Sequence, residues 1–226
     1  MTAMINKPDY DRAASAAMQL LVDNHFTETP INPMPVLMSF PGVRVLPYAK
    51  MATDAGMDRQ DLIYLFGNAE ASTFYLNPVS SGLDDVRYIV VYNMFMPSEI
   101  IWRGIARELG HIVLGHDGVT RENKARMAEA LCFAHHLISP RPVLRLLQEK
   151  GPLTMNVLIN TTGCSYECVE ELQTIPGARV PAELNRQVRD LFAPHLLEYL
   201  NFYHSSAKQD TSPFVYLGSF MDGYEE

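Results

Sequence analysis

The stretch Ile105-Ala-Arg-Glu-Leu-Gly-His-Ile-Val-Leu-Gly-His116 concentrates the side chains able to do chemistry. Residues four apart on a helix stand one turn above each other. In an H-E-x-x-H pattern two imidazoles can therefore grip one metal while the adjacent glutamate reaches its bound water as general base. Glu108 and His111 stand in that register, but the position of the first histidine is taken by Arg107. A carboxylate early in the next helix, Glu129, can face His111 if the short loop His116 to Thr120 lays the two helices side by side. Arginine keeps its charge up to a pKa above ~12 and has no lone pair to offer a metal. The Arg107 guanidinium is expected to pair with Glu129 or hydrogen-bond His111, replacing a cation's charge with its own. His116, just past the helix end, is a candidate substitute ligand. It falls one position short of the spacing at which a third histidine follows in known zinc peptidases.

These residues need elements to hold them. A first helix is expected over Asp9 to Asn24, after a Pro-Asp start. The Pro-rich stretch Thr29 to Pro35 separates it from an apolar run at Val36 to Phe40 and a strand edge at Val43 to Leu46, followed by a short helix over Asp58 to Phe66. Ser72 to Leu76 and Arg87 to Tyr92 are β-branched and aromatic, and are expected to pair across the loop Asn77 to Asp85. The rest is helical. A long helix capped by Ser98 runs to about Leu114, where Gly115 ends it, and a second spans Arg121 to Leu137 before Ser139-Pro-Arg-Pro142. Shorter helices follow at Val143 to Glu149, Leu153 to Asn160, Cys164 to Gln173 and Pro181 to Tyr203, and then a tail from Ser205 that either docks on a partner or stays loose. His135 and His136 are expected along a helix flank, away from the pocket, and Trp102 in the core.

The balance of 18 Lys+Arg against 26 Asp+Glu in 226 residues, a net charge of −8, argues against a large phosphate-neutralising surface. No apolar run approaches a membrane span of ~20 residues, and the start of the chain has no signal-peptide pattern, so a cytoplasmic protein is expected. Cys132, Cys164 and Cys168 are too sparse for a disulfide framework and are expected as thiols half-buried in a helical core rather than as metal ligands. The segment Leu153 to Leu172 has a helix-turn-helix outline. Its would-be recognition helix carries Glu167, Glu170 and Glu171 and no Lys or Arg, so it is expected to bind protein rather than DNA.

With these motifs in view, the sequence resembles the ImmA/IrrE family of metallopeptidase-like proteins of mobile elements and stress-response loci. The resemblance rests on Leu46-Pro-Tyr48, the strand Tyr88 to Asn93 before a Met-Pro helix start, the core Arg107-Glu-Leu-Gly-His-Ile-Val-Leu-Gly-His116, and the E-A-x-x-F-A-x-x-L-I-x-P signature from Glu129 to Pro140. It implies an α+β, zincin-like fold, a small curled sheet packed on a helical bundle. The corresponding division is a peptidase-like domain at 1–140, a small helical module at 141–204 and a tail at 205–226. It also implies zinc held at the positions of His111 and Glu129, Glu108 as general base, and a helix-turn-helix repressor as the protein partner. Arg107 breaks the ligand pattern. Three functions follow as expectations: a prophage-type regulator with a degenerate, weakly active or inactive site, an active zinc endopeptidase rebuilt on His111, His116 and Glu129, or a non-enzymatic antagonist.

Overall fold

The computed structural model describes residues 7–76, 85–116, 123–206 and 212–224. Most of the expected connections at 77–85 and 116–120, the expected helix start at Arg121, and part of the tail lie outside the described residues. Among the described residues the fold is α+β, with ten helices and an open three-stranded sheet.

The sheet is built from β1 (Val43–Pro47), β2 (Ala71–Tyr75) and β3 (Tyr88–Tyr92) in the order β1-β3-β2. β2 pairs antiparallel with β3, Ala71 opposite Tyr92 and Tyr75 opposite Tyr88, as expected of two neighbouring strands. β1 pairs parallel with β3, Val43 opposite Tyr88. Such pairing needs a crossover, and the chain between β1 and β2 supplies two helices, α3 (Tyr48–Ala55) and α4 (Arg59–Phe66). α3 has no counterpart in the sequence reading: Pro47 ends β1 and serves at once as its N-cap.

The helical side begins with α1 (Tyr10–Asp23), capped by Asp9, whose side chain accepts from Arg12 N, and continues in the short α2 (Met34–Ser39). α1 buries Ala13, Ala14 and Ala17, small residues that let it lie close against its neighbours. Next come α5 (Ser98–Val113) and α6 (Lys124–Ile138), the two expected long helices. Ser98 is the first helical residue rather than the cap. Pro97 takes the cap position, with no side-chain bond to the helix, and Ser98 Oγ donates instead to Glu99 Oε2 at 3.2 Å. Asn123 caps α6, accepting from Arg126 N.

Beyond Pro140 lie α7 (Arg141–Lys150), α8 (Met155–Thr162), α9 (Tyr166–Leu172) and α10 (Ala182–Ser206). The part of the tail at 212–224 packs on its own chain. Phe214 bridges to Thr154, Val215 N donates to Leu153 O at 2.8 Å, and Leu217 and Phe220 are buried. One buried apolar cluster runs from Ala13 on α1 to Phe220 in the tail. No helix of the described residues is long and apolar enough to cross a membrane.

Candidate functional site

α5 is the element that arranges the site. Its apolar stripe, Ile105, Ala106 and Leu109, faces the core, while Arg107, Glu108 and His111 fall on and beside the edge that meets β2 and α6. Two glycines let its neighbours approach. A Cβ on Gly104 would stand 2.6 Å from Glu70 Cβ, and one on Gly110 would stand 2.9 Å from the Phe133 ring. Gly115, at φ +66°, ends the helix as expected and turns His116 back toward α6.

His111, His116 and Glu129 come together as a chain of hydrogen bonds. His111 Nδ1 lies 3.0 Å from His116 Nδ1, and His116 Nε2 lies 2.9 Å from Glu129 Oε2. Because Glu129 only accepts when ionised, His116 donates its Nε2 proton to the carboxylate, its Nδ1 lone pair accepts, and His111 donates from Nδ1. Both rings are neutral in this scheme. Burial, His116 and the charges of Arg107 and Arg126 push His111 down to about 4. Burial also lowers His116, against the opposing pull of Glu129. The other Glu129 contacts come from α1: Asp9 N donates to Oε1 at 2.8 Å, and Arg12 Nη2 lies 3.2 Å from Oε2 and 3.4 Å from Leu114 O. Burial raises the Glu129 carboxyl, but the Asp9 and His116 hydrogen bonds and the Arg12 charge outweigh it and hold it below the ordinary range.

Arg107 joins neither Glu129 nor His111, contrary to the expectation. Its Nη1 lies 3.1 Å from Glu70 Oε2, its Nη2 donates to Ala71 O at 3.1 Å, and Nε and Nη2 grip Glu108 Oε1 at 3.2 and 3.0 Å. Glu129 already has three donors, so the guanidinium turns to the sheet, where Glu70 at the mouth of β2 is within reach. Arg103, one turn earlier, bonds the other oxygen of Glu70 and Glu171 on α9, the latter at 2.6 Å. Burial disfavours a charge on Arg107, but Glu108 and Glu70 more than offset it. The general-base candidate Glu108 is therefore buried and gripped by a cation.

A zinc ion held jointly by His111, His116 and Glu129 does not fit this arrangement. His116 presents opposite ring nitrogens to its two neighbours, so the three donors lie in series through the ring and do not converge on one point. Among the described residues no group of three or more His, Cys, Asp or Glu is placed to hold a metal. A cleft of about 900 Å³ between α1 and the sheet, lined by Gln19, Asp23, Phe40, Arg87 and Tyr88, includes none of the expected site residues. His135 and His136 lie along α6 buried in the core; His136 Nδ1 donates to Cys132 O at 2.9 Å and its ring packs on Phe220. Glu70, Arg103, Arg12 and Asp9 join the site with no local sequence signal to mark them. Comparison with protein-family models and with curated proteins gives no match.

Proposed function

We propose that the chain is a pseudopeptidase of the ImmA/IrrE type: a mobile-element regulator that engages a protein partner, such as a helix-turn-helix repressor, without cutting it. The observation that supports this reading is the double ion pair of Arg107 with Glu70 and Glu108. It fills the position of one would-be ligand with a cation and occupies the carboxylate that would activate water. The pocket is then a polar core that shapes a binding surface, and the acidic balance of the chain suits a basic helical partner.

Metal analysis of protein purified from zinc-supplemented medium tests it. Expected is far less than one zinc per chain, with no change in stability on adding chelator. A near-stoichiometric zinc content that disappears in His111→Ala would overturn the proposal in favour of the rebuilt endopeptidase. Mixing with a repressor of the same mobile element should give a complex in which both chains keep their full mass. New repressor termini that Glu108→Gln abolishes would have the same overturning force.

A further inference from the structure

The first turns of α5 and the α8–α9 turn enclose a cleft of about 370 Å³, at the opposite end of α5 from His111 and His116. Trp102, Ile159 and Tyr166 are its apolar walls, Ser98 and Glu99 line it from the start of α5, and buried Cys164 lies at its base. Trp102 is thus a half-buried cleft wall, not a core residue, and the three cysteines are fully buried rather than half-buried. The walls are fixed. Gly163 adopts φ +68°, and a Cβ there would stand 2.7 Å from Pro30 and 3.4 Å from the Trp102 ring, so a glycine lets the turn lie this close to the indole. Cys164 N donates to Thr162 Oγ1 at 3.3 Å, and Ser165 caps α9 by accepting from Cys168 N at 3.2 Å. A slot held this way needs little ordering on binding. The charge around it is one-sided. From 151 to 178 the chain carries Glu167, Glu170 and Glu171 and no Lys or Arg, and Glu99 stands on the facing helix. Arg103 pairs with Glu171 and Glu70, while Glu167 and Glu170 are exposed. The turn before α5 adds two exposed apolar side chains, Met94 and Phe95.

We propose that this cleft is the docking slot for one large apolar side chain of a basic amphipathic helix on a partner protein. The anchor enters between Trp102, Ile159 and Tyr166, and Lys or Arg one turn to either side of it meet Glu99, Glu167 and Glu170. Resting on the reading of the chain as a protein-binding regulator, the slot gives that partner a place to bind. Three features select this occupant. Helix starts carry partial positive charge, so the first turn of α5 disfavours a cation inside the slot and leaves the walls to an uncharged group. Exposed carboxylates on the rim favour cations around it and repel nucleic acid and anionic lipid. A helix supplies both at once, because residues three and four apart share a face and flank the anchor with charge. Aromatic walls inside a polar rim are also the arrangement in which a few residues carry most of a binding energy. The rim acids steer the encounter and the slot holds the complex, so salt acts mainly on the association rate.

Trp102 is the single tryptophan of the chain, so its emission reports the slot directly. The test titrates the purified full chain with a tryptophan-free helical peptide of Leu and Lys, apolar on one face. Expected is a saturable blue shift of Trp102 emission as the anchor displaces water, with binding weakened by salt. Tyr166→Ser, a change at an exposed position, should weaken binding at least about 10-fold. Glu167→Gln with Glu170→Gln should weaken it about 5-fold and flatten the salt dependence. A peptide with the same Lys register and Ser in place of Leu should leave the emission unmoved. The slot is overturned if a labelled peptide binds by anisotropy without moving Trp102, if no binding occurs, if the Ser peptide binds as tightly, or if either variant keeps the parent's affinity. It is equally overturned if duplex DNA or anionic vesicles shift the emission more than the peptide does. Zinc content and repressor mass decide the proposed function separately. Bound zinc or a cut repressor would strike that reading while a shifted Trp102 keeps the slot, and a silent Trp102 in a metal-free protein would strike the slot alone.

Discussion

Charge placement at single residues decides what this site can do. Glu108 is buried, and its carboxylate needs a cation; in a metal site the ion would supply one, and here Arg107 does. Arg107→Met should therefore destabilise the fold by about 3 kcal/mol in urea unfolding, since it strands Glu108 while Glu70 keeps Arg103. Removing both charges, in Arg107→Met with Glu108→Leu, should recover most of that loss. A single variant as stable as the parent would show that the pair is not buried. The histidines set a second expectation. His111, held at about 4, and His136, held by burial at about 3, both start from 6.5 when unfolded. Their folded pKa values are the lower ones, so the unfolded chain binds protons first as the pH falls. Their contribution is complete above 6.5 and is lost on the way down to about 4 for His111 and about 3 for His136. Each can cost up to about 1.4 kcal/mol per pH unit across that window. Glu70 and Glu129 are shifted down from 4.5, so their contribution is lost only at still lower pH. Urea midpoints should accordingly drop between pH 6.5 and 4.5, and His136→Gln, which can still donate to Cys132 O, should flatten that slope.

At the scale of elements, α5 works because it carries almost nothing where its neighbours press on it. Gly110 faces Phe133 and Ala130 O, the latter 3.1 Å from where a Cβ would stand. Gly110→Ala should push α6 away, cost about 1–3 kcal/mol in thermal or urea unfolding, and loosen the His116–Glu129 contact. Unchanged stability together with an unchanged His116 resonance would refute the close approach. The long helices were legible because apolar periodicity and strong stops, Gly115 and Pro140, mark them, and the strand pair was legible from its β-branched runs. α3 was not, because eight residues starting just after a proline carry too little periodicity to separate from a strand end. The same division holds for the site. His116 and Glu129 are brought together by one local helix hairpin. Glu70 meets Arg107 across 37 residues and Arg12 meets Glu129 across 117, contacts set by packing that no local pattern encodes. The Arg107 partner differs from the expected one for that reason: the acid that claims it stands at the edge of the sheet, and the acid expected to claim it is already satisfied by donors from α1.

At the scale of the whole molecule, the C-terminal segment closes the core that α1 opens. Its anchor is Arg141, the first residue of α7, whose side chain is fully buried with no carboxylate bonded to it among the described residues. The guanidinium instead donates to Asp222 O at 2.7 Å, to Ala178 O and, at 3.5 Å, to Phe220 O, so one planar donor fork ties the tail to the chain entering α10. Charged donors on neutral carbonyls in a dry site are strong bonds, and each becomes a penalty when its partner is removed. Ending the chain at residue 211 would leave that cation without Asp222 and Phe220, and would uncover the face on which Leu217 and Phe220 pack, at about 2 kcal/mol for each apolar side chain. The truncated protein should lose well over 3 kcal/mol and become sensitive to proteases throughout α7 and α10. Arg141→Lys should cost less, about 1–3 kcal/mol, because a single ammonium keeps the charge but cannot span carbonyls from two segments. It should also make 212–224 the first region cut in limited proteolysis. A truncation that leaves the urea midpoint in place would show that the tail is an addition to a core already complete, and would detach Arg141 from any part in holding the molecule together.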